Sequence, residues 1–155
     1  MDELAFRAAL GKFATGVGLA TVADPDLGPL AMTINSFSSV SLQPPLVLWS
    51  IQLSSDHVQI YTESPRFGIS LLSADQVEVS ERYARRGGHQ IAAEDFEAGP
   101  HGEPRLRGAI AHFSCSLHDV FPGGDHHIIV GEVTEFSATD AEPLLFVSGG
   151  YRRLD

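Results

Sequence analysis

Short apolar segments separated by turn residues run through most of the chain and predict a protein built mainly from β-strands. Clusters of Gly, Pro, Asp and Ser lie between these segments, as expected of turns. One segment is apolar except for Ser50, which is typical of a central strand covered on both faces. The predicted strands are residues 18–23, 30–34, 46–51, 67–72, 108–117, 128–136 and 144–147.

The N-terminal segment has the spacing of a helix. Phe6, Leu10 and Phe13 are spaced i, i+4 and i+7, so a helix over residues 3–14 would place all three on one face. Gly16 and Gly18 follow and favour an end to the helix before the first strand.

Capping residues indicate two further short helices. One is predicted over residues 56–63, with Asp56 or Ser55 as its N-cap. Another is predicted to begin at Ser73, because Gln76 stands three residues later in the spacing of a capping box.

Residues 84–107 form the longest segment without a clear pattern, and loops of this length are usually functional or mobile. The strands around it are short and evenly spaced. This arrangement favours a single domain over residues 1–155, a small β-barrel with short peripheral helices.

The charge balance is strongly acidic and argues against nucleic acid and membrane surfaces as partners. Ten basic residues stand against twenty acidic ones, the formal net charge is -10, and Lys12 is the only lysine. Phosphate backbones and anionic lipids both select clusters of Lys and Arg. A local group of arginines could still hold a phosphorylated cofactor.

Cysteine usage and the N-terminus predict a cytoplasmic location. Cys115 is the only cysteine, so no disulfide can form within the chain, which fits a reducing compartment. Met1 to Phe6 carry acids where a secretory signal would carry bases, and no apolar run approaches the roughly 20 residues of a membrane span.

Two groups of residues have donors suited to a phosphate, and each has a purely structural alternative. The hydroxyl-rich stretches 33–41 and 50–55 could donate to phosphate oxygens, or they could simply cap turns. Arg82, Arg85 and Arg86 could fork onto a phosphate, or they could complement the dipole at a helix C-terminus.

A third candidate is the run Gly124-Asp125-His126-His127. A His directly after a tight turn could reach into a cleft and bind a ligand, or it could be a solvated turn residue. His126 and His127 would face opposite sides of a strand, and no carboxylate or cysteine cluster has ligand spacing, so no metal site is expected. Dinucleotide, P-loop and Gly-x-Ser-x-Gly motifs are absent from the sequence.

The combination of these segments, in order along nearly the whole chain, resembles the short-chain flavin reductases, the reductase components of two-component flavin monooxygenases. The segments that carry the resemblance are Phe6-Arg7 with Leu10 to Val17, Met32 to Val47, Gly124-Asp125-His126 with Gly131-Glu132-Val133, Pro143-Leu144-Leu145, and Gly150-Tyr151.

The resemblance implies a homodimeric FMN-binding split β-barrel that transfers a hydride from NADH or NADPH to FMN or FAD and supplies reduced flavin to a separate monooxygenase. It implies His126 as the catalytic-site residue on the nicotinamide side, with Tyr151 lining the same side. It also implies a flavin-binding set of Thr33, Ile34, Asn35, Ser36, Ser50, Ile51, Gln52, Ser54, Ser55, Arg82, Arg85 and Tyr151.

Three other functions fit the same barrel. A flavin carrier or electron-transfer protein would bind flavin without oxidising NADH, and related barrels use a deazaflavin. The third is a heme-handling or purely structural barrel, for which the histidines are the only supporting feature of the sequence.

Overall fold

The computed structural model describes all 155 residues and is mainly β. Its helices are α1 (Glu3–Leu10), α2 (Val58–Glu63) and α3 (Val77–Ala84), with a 3-10 turn at Ala93–Asp95. Its strands are β1 (Thr15–Gly16), β2 (Gly18–Asp24), β3 (Gly28–Ile34), β4 (Ser38–Leu42), β5 (Pro45–Gln52), β6 (Arg66–Leu71), β7 (Phe96–Ala98), β8 (Pro104–Leu106), β9 (Ala111–Gly123), β10 (His126–Ala138), β11 (Leu145–Val147) and β12 (Gly150–Arg152).

The main sheet has seven antiparallel strands in the order β3-β2-β6-β9-β10-β5-β4. Its two edge strands, β3 and β4, are consecutive in the chain and are joined by only Asn35, Ser36 and Phe37. The sheet must therefore coil until its edges lie close together, which makes a barrel with a split between β3 and β4. The predicted barrel with short helices is confirmed.

The core has two parts. The barrel interior contains Trp49, Tyr61 and Phe67, whose rings pack edge to face around the central strands. A second cluster, with Tyr83 and Leu144 at its centre, packs α3 and the C-terminal strands against β2 and β3. None of the helices has the length and apolar character that a membrane-spanning helix needs.

The predicted helix boundaries were partly wrong. α1 ends at Leu10, not at residue 14, and none of its residues is buried. His57, in a left-handed conformation, precedes α2 where Asp56 or Ser55 was expected as the cap. The Gln76 side chain does accept from the Ser73 N–H, but the helix starts only at Val77, because the intervening residues form a turn instead of helix.

Five short strands were missed, namely β1, β4, β7, β8 and β12. β4 lies in the hydroxyl-rich stretch, and a bulge between Ser39 and Ser41 removes the alternation that would have revealed it. The segment predicted as irregular contains the β7–β8 hairpin. Such short strands depend on their partners more than on their own residues.

Candidate functional site

A cleft of about 340 Å³ opens at the split of the barrel. Its walls are the end of β3, the end of β5 with the turn that follows, the start of β10 and the segment after α3. All but three of the predicted site residues line it: Thr33, Ile34, Asn35, Ser36, Ser50, Ile51, Gln52, Ser55, Arg85 and His126.

Strand register explains how distant parts of the chain reach this cleft. Gln52 of β5 pairs with His126 of β10, so the two side chains lie on the same face of the sheet. Ser36 ties the split together, because its hydroxyl accepts from the Ser50 N–H (2.9 Å) and donates to the Ser50 carbonyl (3.2 Å). The Gly124-Asp125 turn places His126 at the strand start, with Gly124 at a positive φ of 69°.

The three remaining predicted residues lie outside this cleft. Arg82 pairs with Asp95, which also accepts from the Tyr83 hydroxyl (2.8 Å), so its guanidinium is engaged elsewhere. Ser54 is exposed beyond the turn and does not line the cleft. Tyr151 lines a second cleft.

This second cleft, of about 200 Å³, adjoins the first and shares Thr33, Ile34 and Asn35 with it. Tyr151 and Phe146 contribute an aromatic wall, with their ring centres 5.3 Å apart. The Tyr151 hydroxyl lies 2.7 Å from the Ser80 hydroxyl. Tyr151 and His126 therefore belong to adjoining clefts, and the expectation that both line the nicotinamide side stays a prediction.

Some polar side chains of the first cleft are hydrogen-bonded within the protein, and others have no partner there. The Thr33 hydroxyl donates to the Ser80 carbonyl (2.6 Å), and the Ser36 hydroxyl is engaged with Ser50. In contrast, four polar side chains make no hydrogen bond within the protein: Asn35, Ser50, Gln52 and Ser55. Thr33 and Ser36 thus shape the wall, and the free group supplies donors for a ligand.

Two arginines at one end of the cleft have no anionic partner. Arg85 and Arg86 line the cleft and form no ion pair. Most other arginines face a carboxylate, namely Arg7, Arg82, Arg105, Arg107 and Arg153. In a chain of formal net charge -10, two unpaired guanidinium groups beside free hydroxyls make this end of the cleft suited to a phosphate.

His126 also lines this cleft, with its Nδ1 held by Asp125. The two atoms, His126 Nδ1 and Asp125 Oδ1, are 2.7 Å apart, and this hydrogen bond lowers the pKa of the exposed Asp125 carboxyl. The contact orients the imidazole and leaves its Nε2 for a ligand.

Sequence reasoning missed Asp56 and His89 as cleft residues, and noted Arg86 without placing it in the site. The Asp56 carboxylate accepts from the Gly87 N–H (2.6 Å), which fixes the segment that carries Arg85 and Arg86. His89 is almost fully buried. The one available signal was its position within the long segment predicted to be functional.

A second polar cluster lies away from the cleft and is fully engaged. Ser70 Oγ is 2.9 Å from His112 Nδ1, and His112 Nε2 is 3.0 Å from Glu103 Oε1. Ser70 also accepts from the Leu106 N–H (3.1 Å), so the cluster fastens the segment around β8 to the sheet. We call Ser70, His112 and Glu103 the buried relay.

The Glu103 carboxylate is only 2% exposed but stays ionised. Burial alone would raise its pKa, yet hydrogen bonds from His112, Ser114 and the His101 N–H outweigh burial and lower the pKa to about 2. Every member of the relay is buried and paired within the protein, although Glu103 also borders a separate cleft with Arg66 and His101.

Comparison with known proteins identifies relatives along the whole chain. Residues 10–155 match the family described as flavin reductase like domain. The chain is 44% identical to FMN reductase (NADH) SmoA of Agrobacterium fabrum over 152 residues, which is 98% of this chain and 86% of that protein. It is 35% identical over 156 residues to the flavin-dependent monooxygenase reductase subunit HsaB of Rhodococcus jostii, covering 100% of this chain and 80% of that one.

Among solved structures, the chain is similar to the NADH:FAD oxidoreductase SgcE6 of Streptomyces globisporus in complex with NAD and FAD fragments. The TM-score is 0.93 at 37% sequence identity, over 99% of this chain and 93% of that chain. Fold, sequence and the matched family agree, and the chain belongs to the flavin reductase like family.

Proposed function

We propose that this protein is an NAD(P)H-dependent flavin reductase that reduces FMN or FAD. The observation that carries the proposal is the cleft at the barrel split, where free hydroxyl and amide donors lead to two unpaired arginines. Its volume falls within the range of small-molecule sites. The relatives named FMN reductase (NADH) and NADH:FAD oxidoreductase support the same activity.

Different residues of the cleft bind different parts of the flavin in this proposal. Asn35 and the backbone of residues 33–36 face the ring system, because they form the end of β3 and the link to β4 at the split. Ser50, Gln52 and Ser55 follow the ribityl chain with their free donors, and Arg85 with Arg86 holds the phosphate. Arg82, already paired with Asp95, has no part in this.

The flavin, when bound, supplies the chemistry, since its N5 accepts the hydride from nicotinamide C4. The protein needs no nucleophile for that reaction, and its task is to hold two rings in contact and exclude water. His126 orients the nicotinamide from the flavin cleft, and Tyr151 offers an aromatic surface in the adjoining cleft.

A homodimer is part of the proposal and is supported by exposed apolar side chains near the N-terminus. Phe6 and Leu10, one turn apart on α1, are 46% and 59% exposed, and Phe13, three residues beyond the end of the helix, is 79% exposed. Apolar side chains that are exposed close together in this way usually mark a protein interface. A second copy of the chain is the proposed partner, because the resemblance to dimeric reductases implies it.

Reduced flavin then leaves for a separate monooxygenase, as the relative named a monooxygenase reductase subunit suggests. The cytoplasmic location stays a prediction.

The proposal is tested by aerobic oxidation of NADH and NADPH with purified protein, with and without FMN, FAD or riboflavin. Rapid oxidation that requires added flavin is expected. Flavin binding without oxidation of either nucleotide would instead indicate a carrier or electron-transfer protein.

A further inference from the structure

His89 is a buried imidazole that borders the cleft. It is 5% exposed, and its backbone carbonyl accepts from the Ala31 N–H (2.8 Å), which anchors it beside β3. Its ring packs against Tyr61 and His57, with ring centres 5.7 Å and 5.9 Å away. The imidazole is therefore fixed in place by the fold.

The two ring nitrogens of His89 have different surroundings. Nδ1 lies 3.5 Å from the hydroxyl of Tyr61, and this is the only polar partner of that buried phenol. Nε2 makes no hydrogen bond in the protein. The only fully buried side-chain atoms without a partner are Thr15 Oγ1, Trp49 Nε1 and Arg66 Nε, so Nε2 is not fully buried. Nε2 is therefore open to the cleft that His89 lines.

His89 shares one wall of this cleft with the arginines. It follows Arg85 and Arg86 in one short segment, and Asp56, which holds Gly87, acts electrostatically on His89. His126, in contrast, lies on another wall, on β10, where it pairs with Gln52. A phosphate held by the two arginines would lie in the same cleft to which Nε2 is open.

We propose that His89 is a ligand-binding residue that donates from Nε2 to the phosphate of a flavin nucleotide and takes up a proton from solvent when the phosphate binds. This inference rests on the proposed function. The Tyr61 hydroxyl donates to Nδ1 of the neutral ring and can accept from Nδ1 of the charged ring, so the orientation is kept in both states.

The charges around His89 fit proton uptake. Burial lowers its pKa, the Asp56 carboxylate partly offsets this, and His57 adds to the lowering, so the ring is neutral at pH 7 before a ligand binds. A phosphate bound in the cleft would bring negative charge close to the ring and favour the imidazolium.

The test is calorimetric binding of FMN and of riboflavin, each in two buffers of different ionisation enthalpy, to the wild type and to three variants. For His89→Leu we expect about tenfold weaker FMN binding, less than threefold weaker riboflavin binding, and fewer protons taken up with FMN. His89→Gln keeps a donor but cannot be charged, so it should keep most FMN affinity and lose the same proton uptake. His118→Asn, at an exposed histidine on β9 outside the cleft, should change neither quantity.

Equal loss of FMN and riboflavin binding in both His89 variants would overturn the inference, and so would an unchanged proton count. The comparison with His89→Gln keeps the test valid if His89→Leu fails to fold. Oxidation of NADH or NADPH by the wild type with added FMN or FAD tests the proposed function independently of the His89 variants. No oxidation with either flavin would overturn the reductase assignment, whereas wild-type oxidation combined with unchanged FMN binding in the His89 variants would overturn only the inference about His89.

Discussion

The cleft and the buried relay are both rich in polar side chains, and they differ in whether those side chains have partners. In the relay, Ser70, His112 and Glu103 satisfy one another and are closed to solvent. In the cleft, Asn35 and Gln52 have no partner in the protein. Polar groups that a fold pairs internally contribute to stability, and those that it leaves unpaired in a concave site are available to a ligand.

The largest expected effect is on stability and comes from breaking the buried relay. His112→Leu would leave the Glu103 carboxylate buried without its main partner, and we expect the free energy of unfolding to fall by about 3 kcal/mol or more. Denaturant unfolding measures this. The KM for FMN of the folded enzyme should stay unchanged, and a large change in that KM would mean that the relay and the cleft are coupled.

The relay also predicts how stability responds to acid. The pKa of Glu103 is about 2 in the folded protein and near 4.5 when unfolded, so its contribution is complete above about pH 4.5 and is lost as pH falls toward 2. The contribution is on the order of 3 kcal/mol. Unfolding of the wild type and of Glu103→Gln between pH 6 and pH 3 should show the difference shrinking as pH falls, and a constant difference would contradict the assignment.

A smaller effect is expected on the KM for FMN, and it should distinguish the arginines of the cleft from the paired arginine next to them. Replacing Arg85 and Arg86 together by Ala should raise the KM for FMN about 30-fold, or about 2 kcal/mol, because two charged donors to the phosphate are lost. Riboflavin has no phosphate and should lose little. Arg82→Ala is the matched control, and an equal effect there would show that charge alone, and not position, matters.

These arginines show what sequence could and could not predict. The strand pattern was foreseen, because alternation and turn residues are local properties, whereas the candidate residues around Asn35 and Gln52 came from the family resemblance. The sequence did not show which arginine is free, because Arg82 is paired with Asp95, thirteen residues later in the chain. His89 was missed for the same reason: its burial depends on Tyr61 and Ala31, which are distant in the chain.

The smallest effect concerns the nicotinamide side. His126→Ala should raise the KM for NADH about fivefold, or about 1 kcal/mol, and should leave flavin binding nearly unchanged, because the proposal gives His126 an orienting role only. Steady-state kinetics with NADH varied at saturating FMN measures the first quantity, and flavin fluorescence measures the second. Equal losses in both would place His126 on the flavin instead.

Hydrogen–deuterium exchange of the wild type with and without saturating FMN tests the contrast between the two regions most directly. The account predicts slower exchange at residues 32–36, 50–56 and 84–89, which border the cleft, and no change at the relay segments 68–70 and 103–114. Slower exchange confined to the relay segments, with none around the cleft, would contradict the central claim that the flavin binds at the split of the barrel.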